Sequence, residues 1–217
     1  MRKLKIVVED ATLRNRVLFA LAALIVFRLL AAIPIPSIDA SGIAAFLANN
    51  QFFGLLNIFS GGGFSNLSIV MLGVGPYITA SIVMQLLTVL VPKLKEIYQE
   101  EGDAGRARFM QYSRYLTLPL AFLQGFAFLI LLQQNGAIPP LSLETTIINV
   151  FVIAAGSMLL MCLGELITEF GIGNGVSLVI LAGILASVPT SISQTLFAAT
   201  AANIPSYLGF TLLGLAM

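Results

Sequence analysis

The chain reads as a series of long apolar runs punctuated by proline and glycine, with neither the strict alternation of strands nor the narrow apolar stripe of soluble helices. About 20 predominantly apolar residues are needed to cross the hydrocarbon core of a bilayer. The runs predict spanning helices at residues 17–35, 69–91, 115–132 and 146–167, and a shorter fifth at 175–188 that ends at Pro189. A sixth apolar stretch starts near Pro205 and reaches Met217. The fold class predicted is an all-α polytopic membrane protein.

The pattern departs from simple spanning helices in one region. Between Ala40 and Val91 no side chain is charged, yet the backbone is interrupted at Ser60-Gly61-Gly62-Gly63 and again at Gly73-Val74-Gly75-Pro76. Lipid offers no partner to a free N–H or C=O, so irregular backbone at membrane depth must be buried in protein or line a watery cavity. The segment 43–59 (IAAFLANNQFFGLLNIF) has apolar residues at 43, 46, 47, 52, 53, 55, 56, 58 and 59. That spacing predicts one or two short helices, too polar at Asn49-Asn50-Gln51 to span. Such a piece folds back into the membrane as a re-entrant segment or lies flat on the lipid surface as an amphipathic helix.

A second signal is a stripe on the second span. At 100° per residue Val74, Ile78, Ser81, Gln85 and Thr88 fall within roughly an 80° arc. It is aliphatic at one end and polar at the other, the profile of a funnel narrowing to a constriction that gates by dewetting. Ordinary interhelical packing, with Gln85 as hydrogen-bonding glue, is the alternative. The turn Gly171-Ile172-Gly173-Asn174-Gly175 predicts positive φ and close backbone approach. It makes a poor phosphate loop, having no preceding strand and no lysine.

Composition narrows the function classes. Hydrophobic residues are 58% of the chain and charged residues 10%, with a net charge of +1. The absence of histidine removes the commonest general base and metal ligand, which weakens hydrolase and metalloenzyme readings. Cys162 has no intrachain partner and is expected as a small buried hydrophobe. All eleven Lys and Arg residues lie at or before Arg114, which sets both the N-terminal segment and the loop after span two on the cytoplasmic side. The basic leader resembles a signal peptide, but its apolar run is long and Pro34-Ile35-Pro36 replaces a small-residue cleavage site, so a retained anchor is expected. Loops at 133–145 and 191–204 then face the exterior. Arg28 is expected to snorkel at the outer interface, with a pore-mouth or subunit contact as the alternative. Glu165 and Glu169 are expected to be solvated anions, and the loop 93–114 a wet hairpin.

Five strings carry a family resemblance: FRLLAAIPIP (27–36), NIFSGGG (57–63), GVGPYITASIVMQLL (73–87), EGDAGRARFMQYSRY (101–115) and ITEFGIGNGVSL (167–178). In this order they resemble the SecY family, the channel-forming subunit of the Sec protein translocase. The resemblance implies a ten-span fold of two five-span halves related by inverted pseudo-symmetry. This chain would then comprise a cytoplasmic segment (1–16), the N-terminal five-span half (17–192, with a plug at about 43–63), and an external loop with the start of span six (193–217).

By motif, the resemblance implies a plug that includes Phe52, Phe53, Leu55, Leu56, Asn57, Ile58, Phe59, Ser60, Gly61 and Gly62. It implies a hydrophobic pore ring at Val74, Ile78, Val176 and Ile180, in which two positions are valine where a longer aliphatic would seal more tightly. Gln85, with Ser81 and Thr88 on its stripe, matches polar positions at the lateral gate, which in this family opens between spans two and three and spans seven and eight. The implied function is a passive protein-conducting channel of the bacterial plasma membrane. It passes unfolded secretory polypeptides, recognises signal sequences and inserts membrane proteins. SecE and SecG are the implied membrane partners, SecA or the ribosome the source of energy, and no cofactor or direct nucleic-acid reading is implied. Five spans do not enclose the family's pore, so further chain or a second chain is expected to complete it.

Two rivals remain open. A secondary transporter with a broken-helix substrate site would carry ionisable residues at the breaks, and both breaks lack charge. An intramembrane enzyme would need a nucleophile–base pair or paired aspartates within spans. A purely structural membrane scaffold is the third alternative.

Overall fold

A computed structural model describes residues 10–36, 38, 43, 57, 60, 62–99 and 102–198 of the 217-residue chain. Among the described residues the helices named in order are α1 (Ala11–Ala32), α2 (Gly75–Leu90), α3 (Pro92–Gln99), α4 (Gly102–Gln134), α5 (Leu143–Phe170) and α6 (Gly175–Ala198). By length and composition, α1, α5 and the Ala104–Gln134 part of α4 can each cross a membrane. The pair α2 and α3, bent by 115° at the break between them, brings the number to four if counted as one span.

The helix ends follow local chemistry. The carboxylate of Asp10 accepts from Thr12 N at 2.9 Å and Leu13 N at 3.5 Å and so caps α1. Hydrogen bonds from the Thr12 hydroxyl and these amides hold the exposed Asp10 carboxyl below its ordinary value. Helix α1 thus starts six residues before the expected span at Val17 and stops at Ala32 instead of Ile35. Pro34 ends it, because its ring and missing N–H do not continue a helix. The chain then turns extended and pairs with the segment before α2: Ile35 N donates to Leu67 O (2.7 Å) and Ile69 N to Ile33 O (3.0 Å). At α5 the Ser142 hydroxyl accepts from Thr145 N at 3.2 Å. Ser142→Ala leaves that amide without its cap and should destabilise the first turn of α5 by about 1 kcal/mol. Faster hydrogen exchange over residues 143–146 is the expected reading.

Span two is not one helix. Residues 62–74 form a chain of turns, and only from Gly75, with Pro76 in the first turn, does α2 run regularly. The 16 residues of α2 rise only about 24 Å, so the turn segment supplies the remaining depth. Much of its backbone bonds internally, as irregular backbone at membrane depth requires. Ser68 N donates to Gly63 O (2.8 Å), Met71 N to Ser68 O (2.9 Å) and Gly73 N to Val70 O (2.8 Å). Gly62 (φ +83°) and Gly73 (φ +58°) take the left-handed conformations that permit these turns.

This segment joins two cores. Phe64, Leu67 and Met71 pack with Ile35, Leu129, Leu132, Val150 and Ile153, whereas Val70 and Val74 face the opposite cluster with Phe27, Leu160, Ile167 and Val179. Helix α1 lends the second core a small-residue face of Ala20, Ala23 and Ala31, which lets helices approach closely without relying on hydrophobic exclusion. Apolar residues such as Leu21, Ile25 and Leu29 of α1 and Leu123 and Phe126 of α4 point outward, as lipid-facing positions do.

Three expectations change here. The helix from Gly175 passes through Pro189 to Ala198, so the expected stop at 189 and much of the 191–204 loop give way to helix. Proline is tolerated within membrane helices where neighbours or local adjustment re-satisfy the freed carbonyl. The described parts of the 93–114 hairpin are helical: α3 and the first turns of α4. Cys162 is exposed instead of buried.

Candidate functional site

Two cavities lie end to end within the helices. The larger, about 570 Å³, is bounded by Tyr77, Ile78, Ser81, Ile82 and Gln85 of α2 and Met110 and Arg114 of α4. Across from these stand Glu165, Thr168 and Glu169 of α5, Asn174, and Val176, Ser177 and Ile180 of α6. The smaller, about 270 Å³, lies against the turn segment and is bounded by Ser60, Phe64, Met71, Leu72, Gly73, Val74, Gly75, Gln124 and Phe128. Only Ile78 and Ile180 border both among these lining residues. Among the described residues α2 and α6 make no close backbone contact, so side chains separate them where the two cavities meet.

The four aliphatic candidates are therefore placed unequally. Ile78, 37% exposed, and Ile180, which also packs partly on the core between α1, α5 and α6, stand at the junction. Val74 borders only the smaller cavity and is otherwise buried, 6% exposed, against the core shared by α1, α5 and α6. Val176 borders only the larger one and packs on the same core, its Cγ2 3.0 Å from where a Cβ on Gly164 would sit. Of the polar stripe, Ser81 and Gln85 line the larger cavity. Thr88 does not, and its hydroxyl donates to Gln85 O at 2.6 Å.

The α5–α6 turn is shaped by its glycines, and a Cβ on Gly171 would lie 2.5 Å from Ile167 O. Gly173 has φ +70°, and a Cβ on Gly175 would lie 1.9 Å from Gly164 O. The Thr168 hydroxyl donates to Gly164 O (2.9 Å) and accepts from Gly175 N (2.8 Å), and Asn174 Oδ1 accepts from Ser177 N (3.1 Å). These bonds start α6 directly at the cavity wall and aim Val176 and Ile180 along one face.

Of the plug candidates, Phe52, Phe53, Leu55, Leu56, Ile58, Phe59 and Gly61 lie outside the described residues. Of those described, Ser60 borders the smaller cavity, and Asn57 and Gly62 are bonded into the same turn. Asn57 Oδ1 accepts from Ser65 N (2.8 Å), the Ser60 hydroxyl donates to Asn57 O (3.1 Å), and Gly62 N donates to Asn57 O (2.9 Å). Arg28 reaches this turn: its Nη1 is 4.0 Å from the position a Cβ on Gly62 would take.

Glu165 is not the solvated anion expected. Its Oε1 accepts from Arg114 Nε at 2.6 Å, with Arg114 43% and Glu165 22% exposed. The pairing emerges only when α4 and α5 lie side by side, with their opposite charges at the same depth. Gln124 was also missed; its Nε2 lies 3.5 Å from Thr79 Oγ1. The reasoning applied to Gln85, that lipid offers an amide no partner, would have marked it. Phe64 and Phe128, edge to face at 5.3 Å, close the smaller cavity and carry no such polar signal. Among the described residues no group of three or more His, Cys, Asp or Glu could hold a metal.

Comparison with known proteins gives this geometry a context. The chain is 43% identical over 195 residues to the protein translocase subunit SecY of Pyropia yezoensis, covering 90% of this chain and 47% of that one. To SecY of Buchnera aphidicola it is 43% identical over 190 residues, covering 85% of this chain and 43% of the relative. The chain thus spans somewhat less than half the length of these relatives. In fold it resembles Sec61 in the canine ribosome–channel complex from the endoplasmic reticulum, with TM-score 0.58, 23% identity, and coverage of 95% of this chain and 43% of that one. It also resembles a SecY structure whose plug domain is described as stabilising the closed state of the translocation channel and maintaining a membrane seal. There the TM-score is 0.59, with 24% identity and coverage of 95% and 42%. The SecY family model matches residues 68–217, more than half of the chain, and on that match the chain belongs to the SecY family.

Proposed function

We propose that this multi-pass membrane protein forms one half of the wall of a protein-conducting channel. The observation that carries the reading is the meeting of two cavities at Ile78 and Ile180. An unfolded polypeptide needs a wet path that does not leak ions. A narrow aliphatic waist supplies the seal by dewetting, and it yields to a passing chain without offering specific hydrogen bonds. In this reading Val74 backs Ile78 from the core, Val176 flanks Ile180 on α6, the 43–63 segment serves as plug, and Ser81, Gln85 and Thr88 belong to a gate that parts towards lipid. A signal sequence, itself an apolar helix, would displace the plug and enter that gate.

The larger cavity then faces the cytoplasm, as does the N-terminus, in the orientation favoured by the Lys and Arg distribution. The membrane is the bacterial plasma membrane, the membrane partners are SecE and SecG, and SecA or a ribosome supplies the driving force. No catalytic step is assigned to the chain. The test is transport by the native protein, with whatever completes its pore, reconstituted in vesicles with a motor. A signal-bearing polypeptide should become protease-protected in the lumen, and the same polypeptide without its signal should not. Saturable uptake of a small solute with no polypeptide transfer would instead support the transporter reading.

A further inference from the structure

We infer that Arg114 and Glu165 form a clasp that holds the α2–α4 wall against the α5–α6 wall and so sets the resting width of the Ile78–Ile180 waist. This rests on the channel reading. The pair joins residues 51 apart in sequence, on two different helices, by a 2.6 Å charge-assisted bond. Both side chains line the larger cavity with Tyr77 and Ile78 of α2. Tyr77, one residue before Ile78, lies within electrostatic reach of both charges.

The two helices do not need this bond to adhere. Phe122 and Phe151 stack edge to face at 4.8 Å, and a Cβ on Gly125 would meet Ile153 Cγ2 at 3.3 Å. That apolar contact lies eight to eleven residues along α4 from Arg114, about 12 to 16 Å by helical rise, and serves as a fulcrum. Helix α2 packs along α4, and α6 along α5. Opening the clasp would let α4 swing about the fulcrum, carry α2 with it, and draw Ile78 away from Ile180. The pair touches no transported chain in this account; both are positioning residues.

The test is resting ion conductance of the native protein in planar bilayers, scaled to the amount of channel inserted. Arg114→Glu and Glu165→Arg should each raise the leak about fivefold or more, a change in the range of coupling energies between contacting charged residues. The double swap should return it to within about twofold of wild type. Should the reversed charges prevent accumulation, Arg114→Gln and Glu165→Gln carry the same expectation for the single changes. Wild-type leak in the single variants, with Ile78→Gly leaking, overturns the clasp and leaves the channel reading standing. A double swap that leaks as much as either single variant also overturns it. No leak even from Ile78→Gly removes the waist itself, and the clasp with it.

Discussion

Replacing Ile78 and Ile180 together with glycine should raise the resting ion conductance about tenfold or more and let polypeptides with defective signals pass. The two side chains border both cavities while α2 and α6 make no close backbone contact among the described residues. Glycine at both positions would merge the cavities into one continuous wet path. A dewetted constriction fails steeply once its bore admits water throughout. A tenfold rise corresponds to roughly 1.4 kcal/mol off the barrier, modest against the apolar volume removed. Selectivity relaxes for the same reason: less work remains for a signal sequence to do in opening the path. Val74→Gly should leak less than Ile78→Gly, because Val74 is committed mainly to the core. Conductance equal to wild type in the double variant would reject the waist.

The second large effect is expected where α5 meets the turn segment. A Cβ on Gly156 of α5 would lie 1.9 Å from Ile69 O and 2.7 Å from its carbonyl carbon. The obstacle is backbone, and that backbone belongs to the turn segment whose Ile69 N is already held by Ile33 O. Relief would require moving the segment that separates the two cores. Overpacking commonly costs about 1–3 kcal/mol, and more where backbone must shift. Gly156→Leu should therefore prevent accumulation of folded protein, and Gly156→Ala should lower the midpoint of thermal unfolding measurably. Protease resistance in membranes is the direct reading. Wild-type resistance in Gly156→Leu would mean that α5 and the turn segment do not approach so closely.

Much of this was legible in the chain itself. The absence of charge from Ala40 to Val91, together with two glycine-rich breaks, pointed to protected irregular backbone, and residues 62–74 are such a segment. The i, i+4 spacing of Ile78 to Val74 and of Ile180 to Val176 placed each pair on one helix face. It did not show that Val74 would be drawn into the core while Ile78 stays exposed, or that Val176 and Ile180 would both pack partly on it, since that depends on where α1 and α5 press. Pro189 misled because a proline ends soluble helices more dependably than membrane ones. Glu165 misled because a single span shows no partner; Arg114 becomes one only when α4 and α5 are laid side by side.

The most direct test of the channel is to trap a polypeptide in transit. A photoreactive amino acid at position 78 or 180 of the native protein, with a secretory chain arrested partway through, should give adducts to that chain at both positions. The same probe at Leu123 or Leu29, on outward-facing surfaces, should label lipid and not the arrested chain. Adducts at Leu123 or Leu29 with none at 78 and 180 would contradict the account, because the polypeptide would then cross by another route.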